Sequence, residues 1–465
     1  MSFISRRTLL KLGITSYIGT KLFHPLYAQT SNPTYLNIDY KTLEIKGKAA
    51  KLYGLFQNNG KEGLFLKQND GFNIHLTNKI EEPSLIHWHG LTPPAALDGV
   101  PHLYQDPLLL NQTYQYSFPL KKSGTNWMHS HMGMQEQSLL AAPLIIYDDK
   151  DPYKNVQEII YMIHDFSYKK PEELLHTLHQ QSPTNHQHHQ SVMDLHDIAY
   201  DAHLVNDRTL DDPQIVPIDK GDVIRLRIIN AASSTNYFID LGSLTATLIA
   251  VDGISIVPLK GKIFPLAMAQ RLDLIIHLPR EEGSYPILAR LEGQPTQTGL
   301  ILKSKSSYIK KIPETNNKPA DIVGIQLEQN LKALNSLVVF SDHKTNTAYF
   351  TIKLIGDMAP YNWGFDIYNH QTKDNNFHVT HNDWVEIFLS NQSMMSHPIH
   401  LHGHHFQILE INEKKIQGAV RDTILVPAGQ NITIGFHANN PGVWAFHCHH
   451  LYHMVSGMMT HLKYI

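Results

Sequence analysis

Gly442-Val443-Trp444-Ala445-Phe446-His447-Cys448-His449 decides the fold, because the chain writes it three times. It lines up with Gly283-Ser284-Tyr285-Pro286-Ile287-Leu288-Ala289-Arg290. Both line up with Gly124-Thr125-Asn126-Trp127-Met128-His129-Ser130-His131. The leading glycines, at 124, 283 and 442, stand at equal steps of 159 residues. A second repeat runs beside the first. Asn69-Asp70-Gly71-Phe72-Asn73-Ile74-His75-Leu76-Thr77-Asn78 reads as a turn and then an alternating, half-buried strand. Lys220-Gly221-Asp222-Val223-Ile224-Arg225-Leu226-Arg227-Ile228-Ile229-Asn230 has the same form, as does Asn382-Asp383-Trp384-Val385-Glu386-Ile387-Phe388-Leu389-Ser390-Asn391. Strand-sized runs, frequent turn residues and scarce helical periodicity predict an all-β chain of three similar domains. The 465 residues are enough for three domains at roughly 150 each. The expected boundaries are 35–150, 155–305 and 335–465, with residues 303–320 leading into a linker before the third.

The repeat also says where chemistry survives. His129, Leu288 and His447 are equivalent, as are Ser130, Ala289 and Cys448. The middle domain has lost every candidate ligand and reads as a spacer. The first keeps histidines but has serine where the third has the only cysteine. On a strand, residues i and i+2 face one way and i+1 the other. His447 and His449 therefore share a face, and Cys448 points to the opposite one. A thiolate, the imidazole of His453 five residues on and the thioether of Met458 ten residues on form the soft set that suits blue copper. Three more histidine clusters lie upstream: His87-Trp88-His89, His129-Ser130-His131 and His397-Pro398-Ile399-His400-Leu401-His402-Gly403-His404. Each His-x-His pair puts two imidazoles on one face, roughly 6–7 Å apart at Cα.

Composition sets the bounds. A hydrophobic content of 42% with 17% charged residues is an ordinary globular balance. A net charge of −3 gives no reason to expect a nucleic-acid partner. One cysteine excludes an internal disulfide framework. Histidine is the outlier at 31 residues. Residues 1–28 read as an export signal: Ser5-Arg6-Arg7-Thr8-Leu9-Leu10-Lys11 resembles a twin-arginine motif, with leucine where phenylalanine is frequent. The apolar run that follows, residues 12–18, is too short and too polar to span a bilayer, and Ala28 offers a cleavage point. The expectation is a periplasmic protein carried folded by the twin-arginine machinery, with no stable membrane anchor.

The four motifs, in this order, resemble the signature of the multicopper oxidases, and residues 444–458 look most like the bacterial laccase and copper-resistance branch. The resemblance implies three cupredoxin-like Greek-key β-barrels and four copper ions. It would place His87 and His400 on the type 2 copper. His89, His129, His131, His402, His447 and His449 would hold the type 3 pair, and His397, Cys448 and His453 the type 1 copper, with Met458 as weak axial ligand. Electrons from a small reductant, phenolic or cuprous, would pass through Cys448 to His447 and His449, and dioxygen would be reduced to water. Asp98, in Leu97-Asp98-Gly99-Val100-Pro101, matches an acid that relays protons. Where the family often has a second acid, after the last type 1 histidine, this chain has Met454. Asp422, in Arg421-Asp422-Thr423, is expected to orient a type 1 histidine.

Residues 172–196 read as an insert between ordinary strands of the middle domain. They carry His176, His179, His186, His188, His189 and His196. Two readings stand beside each other: an accessory metal loop, or a solvated loop without a specific ligand. Met358, Met394, Met395, Met454 and Met459 are scattered and read as filler rather than as a cuprous-ion segment. The alternative to an oxidase is a copper-binding or sequestration protein, which oxygen turnover would separate from it.

Overall fold

A computed structural model of the chain describes residues 32–180, 195–334 and 346–465. The expected export signal and the candidate ligands His186, His188 and His189 lie outside the described residues. The rest folds into six β-sheets taken two at a time.

The three alternating stretches are strands, Phe72–Asn78, Val223–Asn230 and Trp384–Asn391, and they do the same job in each domain. Each pairs in parallel with its domain's first long strand: Thr34–Ile45, Gln157–Phe166 and Thr347–Asp357 respectively. A parallel pair needs a crossover, so each domain is a two-sheet unit rather than a meander. Alternate residues turn inward, and each domain has its own apolar core. Ile74, Tyr116 and Leu144 belong to the first, Ile228, Tyr237 and Leu274 to the second, and Ile387, Phe406 and Phe446 to the third. The fold is the expected all-β one. Residues 304–334 pack against the middle domain, where Thr296 bridges Thr315 and Val323 is buried.

The repeated glycine motif supplies the strands Gly124–Ser130, Ser284–Leu291 and Val443–Cys448. Each pairs antiparallel with the strand after it: His129 with Ala141, Leu288 with Gly299, His447 with Met459.

The insert leaves and rejoins the middle domain at one hairpin, where Ala202 stands opposite Phe166 and Val205 opposite Ile163. Helix α1 (Pro171–His179) opens with proline in its first turn and Glu172 and Glu173 near its positive end. Its Leu174 and Leu178, four residues apart on one face, are buried in the third domain's core together with Ile198. The insert is thus anchored across a domain boundary.

Candidate metal centre

The outer domains present their histidine pairs through sheet register. His87 stands opposite His129 in the first domain, and His400 stands opposite His447 in the third. The two ladders meet between the domains, with the rings of His89 and His400 stacked at 3.8 Å and those of His87 and His402 also 3.8 Å apart. All eight imidazoles are buried. The six expected to hold the type 3 pair resolve into two triads: His89, His129 and His449, and His131, His402 and His447. Each triad draws on both outer domains, and within each the ligand atoms lie within 4.8 Å of one another. His87 and His400 group with His89 in the same way. Across the strand, His397, Cys448 and His453 form a separate group, with Cys448 Sγ 3.6 Å from His397 Nδ1 and 3.9 Å from His453 Nδ1. Met458 is buried beside them, its carbonyl accepting from the Cys448 amide at 3.0 Å and its own amide donating to the His453 carbonyl. Helix α2 (Leu451–Val455) carries His453.

Hydrogen bonds fix the state of these rings. A neutral imidazole has one N–H and one lone pair, and the tautomers follow from their partners. His87 Nδ1 donates to the Asp98 carbonyl at 2.9 Å, and His400 Nδ1 to the Asp422 carbonyl at 2.8 Å. His402 Nδ1 donates to Asp98 Oδ2 at 2.7 Å, and His447 Nδ1 to the Cys448 carbonyl at 2.9 Å. His129 Nδ1 faces Glu136 Oε2 at 2.7 Å, and His89 Nε2 faces Asp422 Oδ1 at 3.0 Å. The opposite nitrogens are therefore lone pairs. Those of His87, His89, His129 and His400 are buried with no partner, as is His449 Nε2. His402 Nε2 and His447 Nε2 point at each other 3.0 Å apart, each without a proton to offer. The same holds at the other group. His397 Nε2 is held by Ser393 Oγ at 2.7 Å and His453 Nε2 by Asp197 Oδ2 at 3.1 Å, which leaves their Nδ1 lone pairs facing each other at 3.1 Å. Orphaned buried acceptors are costly. Cations among these atoms would remove that cost.

Burial drives the protonation of both groups. It holds His89, His129, His131, His400, His402 and His449 well below the usual histidine value, and His397 and His453 likewise. His447 is brought down to about 3 by the same cause. Neutral imidazole is the metal-binding form. Burial pushes the Cys448 thiol up, so thiolate ligation requires a cation to displace its proton. The mixed nitrogen and sulfur donor set fits copper.

Asp98 sits where the sequence placed it, with Oδ2 on His402 and Oδ1 3.4 Å from His87 Nδ1. Its loop lies against the strand Ile86–His87 because Gly99 has φ +83 and no side chain; a Cβ there would fall 1.8 Å from the Ile86 carbonyl oxygen. The expectation for Asp422 is overturned. It holds His89 and His400 of the larger cluster, not a type 1 histidine. Register explains the error: His397 pairs with Val426 and His400 with Thr423, which carries Asp422 to the cluster end of the ladder. The residues that bond His397 and His453, Ser393 and Asp197, were missed, as was Glu136 beneath His129 and His449. Burial raises the Glu136 carboxyl well above the usual range. Asp197 lies next to His196 at the end of the insert; its side chain is fully buried and also accepts from Tyr361 and approaches His450 Nε2 at 3.4 Å. His404 has both nitrogens engaged, with the His402 carbonyl and the Tyr464 hydroxyl, and is structural. The described insert histidines go separate ways: His176 to Gln180, His179 to the Pro360 carbonyl and His196 to the Glu292 carbonyl.

Comparison with known proteins agrees with this geometry. Residues 37–151, 158–309 and 345–464 each match a family model described as multicopper oxidase. The chain belongs to the multicopper oxidase family. As a multicopper oxidase it is 28% identical to "Multicopper oxidase MmcO" of Mycobacterium tuberculosis, over 85% of this chain and 80% of that one. It is 25% identical to a "Copper resistance protein A homolog" of Pseudomonas syringae pv. tomato, over 87% of this chain and 88% of that one. Its fold matches the crystal structure of Fet3p, "a Multicopper Oxidase that Functions in Iron Import", with TM-score 0.75 and 19% identity, covering 93% of this chain and 90% of that one. The family is one of copper-binding oxidoreductases, and the cupredoxin-like architecture is shared.

Proposed function

We propose that this multicopper oxidase couples four one-electron oxidations of a small reductant, phenolic or cuprous, to the reduction of dioxygen to two waters. His397, Cys448, His453 and Met458 would hold one copper, His87 and His400 a second, and the two histidine triads a third and fourth. These ions would supply the redox states and the oxygen-binding positions. The observation that carries the reading is the convergence of buried, unprotonated ring nitrogens on three shared points, beside a cysteine wired to two of the rings.

The protein's own groups do the rest. The Cys448 side chain belongs to one centre, and its backbone continues directly into His447 and His449 of the other. Reducing one dioxygen consumes four protons as well as four electrons. Asp98 holds a proton position between His87 and His402 at the rim of the larger cluster. His397 and His453 have no exposed surface, and Asp197, at the described end of the insert, is bonded to His453. Asp197, bonded to both His453 and Tyr361, would then stand between His453 and an approaching donor. That arrangement favours a small reductant over a bulky one. The reading also includes export to the periplasm by the twin-arginine route, which the pair Arg6 and Arg7 supports; among the described residues no helix is long and apolar enough to cross a membrane.

Oxygen uptake by copper-loaded protein, measured with a phenol and with cuprous ion, tests the reading. The expected result is consumption without hydrogen peroxide. Copper binding with no oxygen consumption from either donor would leave a sequestration protein instead. Replacing Arg6 and Arg7 by lysine should strand the protein in the cytoplasm in a fractionation experiment.

A further inference from the structure

The middle domain contributes no ligand, yet it reaches the larger cluster. Arg271 begins the strand Arg271–His277 of that domain and is completely buried. Its Nη1 donates to Asp422 Oδ1 at 2.7 Å and its Nη2 to Asp422 Oδ2 at 2.5 Å, a two-pronged contact. Its Nε donates to the Thr125 carbonyl of the first domain at 3.3 Å, and Nη1 also to the Ala269 carbonyl. Gly90, directly after His89, has φ +94, and a Cβ there would lie 2.6 Å from Arg271 Nη2. The guanidinium therefore occupies space that a side chain at position 90 would fill.

What Asp422 does with its remaining bonds gives this contact its meaning. Asp422 Oδ1 accepts from His89 Nε2 and from Thr423 Oγ1, and its carbonyl accepts from His400 Nδ1. Thr423 Oγ1 stands 3.2 Å from both of those ring nitrogens. His89 Nδ1 and His400 Nε2, the other ends of the same rings, are among the buried nitrogens without a partner. One fork thus sets the plane of one carboxylate; that carboxylate holds His89 directly and reaches His400 through Thr423 Oγ1, beside the main-chain bond from the Asp422 carbonyl.

We propose that Arg271 is a positioning residue for the cluster: through Asp422 it aims His89 and His400 at their ions. This rests on the copper reading above. Lysine has the charge but lacks the planar fork, so Arg271→Lys leaves Asp422 paired while freeing its rotation.

Wild-type protein is first loaded with copper and examined by electron paramagnetic resonance and metal analysis. A wild type lacking the signal of the ion between His87 and His400 would sink the functional reading itself. With that signal present, Arg271→Lys and Arg271→Met are compared with Arg225→Met. Arg225 is also buried and ion-paired, to Asp273 and Asp151, but touches no histidine of the cluster. The expected result is an altered signal and faster loss of that copper to a chelator in R271K, by about 10–100-fold, and its absence in R271M. The blue absorption of the Cys448 centre should stay at wild-type intensity in R271K. R225M should lose thermal stability while keeping its full copper complement. An R271K signal and chelation rate equal to wild type would overturn the proposal. So would the same copper loss in R225M, since the effect would then be general loosening. Should R271M not fold, R271K carries the test.

Discussion

The first and third barrels place different side chains on the same backbone stations, and one of them became a metal site. Register makes the equivalence: His87 opposite His129 corresponds to His400 opposite His447. By that correspondence Ser84 stands where His397 stands, Ser130 where Cys448 does, Gln135 where His453 does and Leu140 where Met458 does. In the first barrel Ser84 Oγ donates to Gln135 Oε1 at 2.7 Å and Ser130 Oγ to the same oxygen at 2.8 Å. Three polar groups close on one another, and nothing is left over. In the third barrel the equivalent trio brings two lone pairs to 3.1 Å beside a buried thiol. The middle barrel has Tyr237, Ala289 and Thr298 at the stations of His397, Cys448 and Met458, which offer no ligand set. The lesson is that the barrel alone does not make a copper site. A site appears where donors and acceptors fail to match.

Exchanging the sulfur is the strongest way to break the contrast. Cys448→Ser should abolish both the blue absorption and donor-driven oxygen uptake, because serine can close a hydrogen bond as Ser130 does. A blue, active C448S protein would refute the assignment of this centre. The converse, Ser130→Cys, should add no second absorption band, since Ser84 and Gln135 would still pair and no imidazole would face the new thiol.

The next effect belongs to the shared cluster. Asp98→Asn keeps the shape and one acceptor but cannot carry a proton between His87 and His402. Oxygen turnover should fall about 100-fold, the scale of positioned acid–base groups. Reduction of the Cys448 centre by donor, followed by stopped-flow bleaching of the blue band, should be unchanged. Equal slowing of both steps would mean that Asp98 is structural.

The chain order shows what a sequence can reveal here. The candidate ligands were legible because each His-x-His pair starts in the last two residues of one strand and runs just past it, so spacing alone brings its two imidazoles together. The three-domain plan was legible because equal glycine steps repeat a strand. The residues that hold the ligands were not legible, because they arrive by tertiary contact. Asp197 comes from an insert of the middle domain, Glu136 from the short turn after His131, and Arg271 from a domain with no ligand at all. Asp422 was visible as a residue but not as a direction, which only strand register supplies. The middle domain is accordingly more than the spacer its missing ligands suggested.

A smaller change is expected at Asp197. Ser393 and Asp197 bond the His397 and His453 imidazoles, one through a hydroxyl and one through a carboxylate. Asp197→Asn removes a negative charge from behind His453, which disfavours the cupric state. The midpoint potential should rise, and copper affinity at that centre should fall about 10-fold. A potentiometric titration that leaves D197N and Ser393→Ala indistinguishable would show that the charge on Asp197 has no part in tuning.

The smallest effect on turnover is expected where the middle barrel ends its version of the shared strand. Ser284–Leu291 runs into Glu292, which sits on a polar network instead of a metal. Its Oε1 accepts from the Val323 amide at 2.7 Å and its Oε2 from Asn236 at 2.8 Å. Burial raises the Glu292 carboxyl to about 7. An unfolded glutamate titrates near 4.3, so folding takes up a proton between those values. The resulting stability is fully present below about 4.3 and is lost as pH rises through about 7, amounting to roughly 4 kcal/mol at most. Copper-free protein should therefore melt at a lower temperature at pH 8 than at pH 6, and Glu292→Gln should flatten that slope while copper-loaded turnover stays unchanged. An identical slope in E292Q would place the pH dependence elsewhere. A loss of oxygen turnover would mean that even the ligand-free end of this strand feeds the reaction.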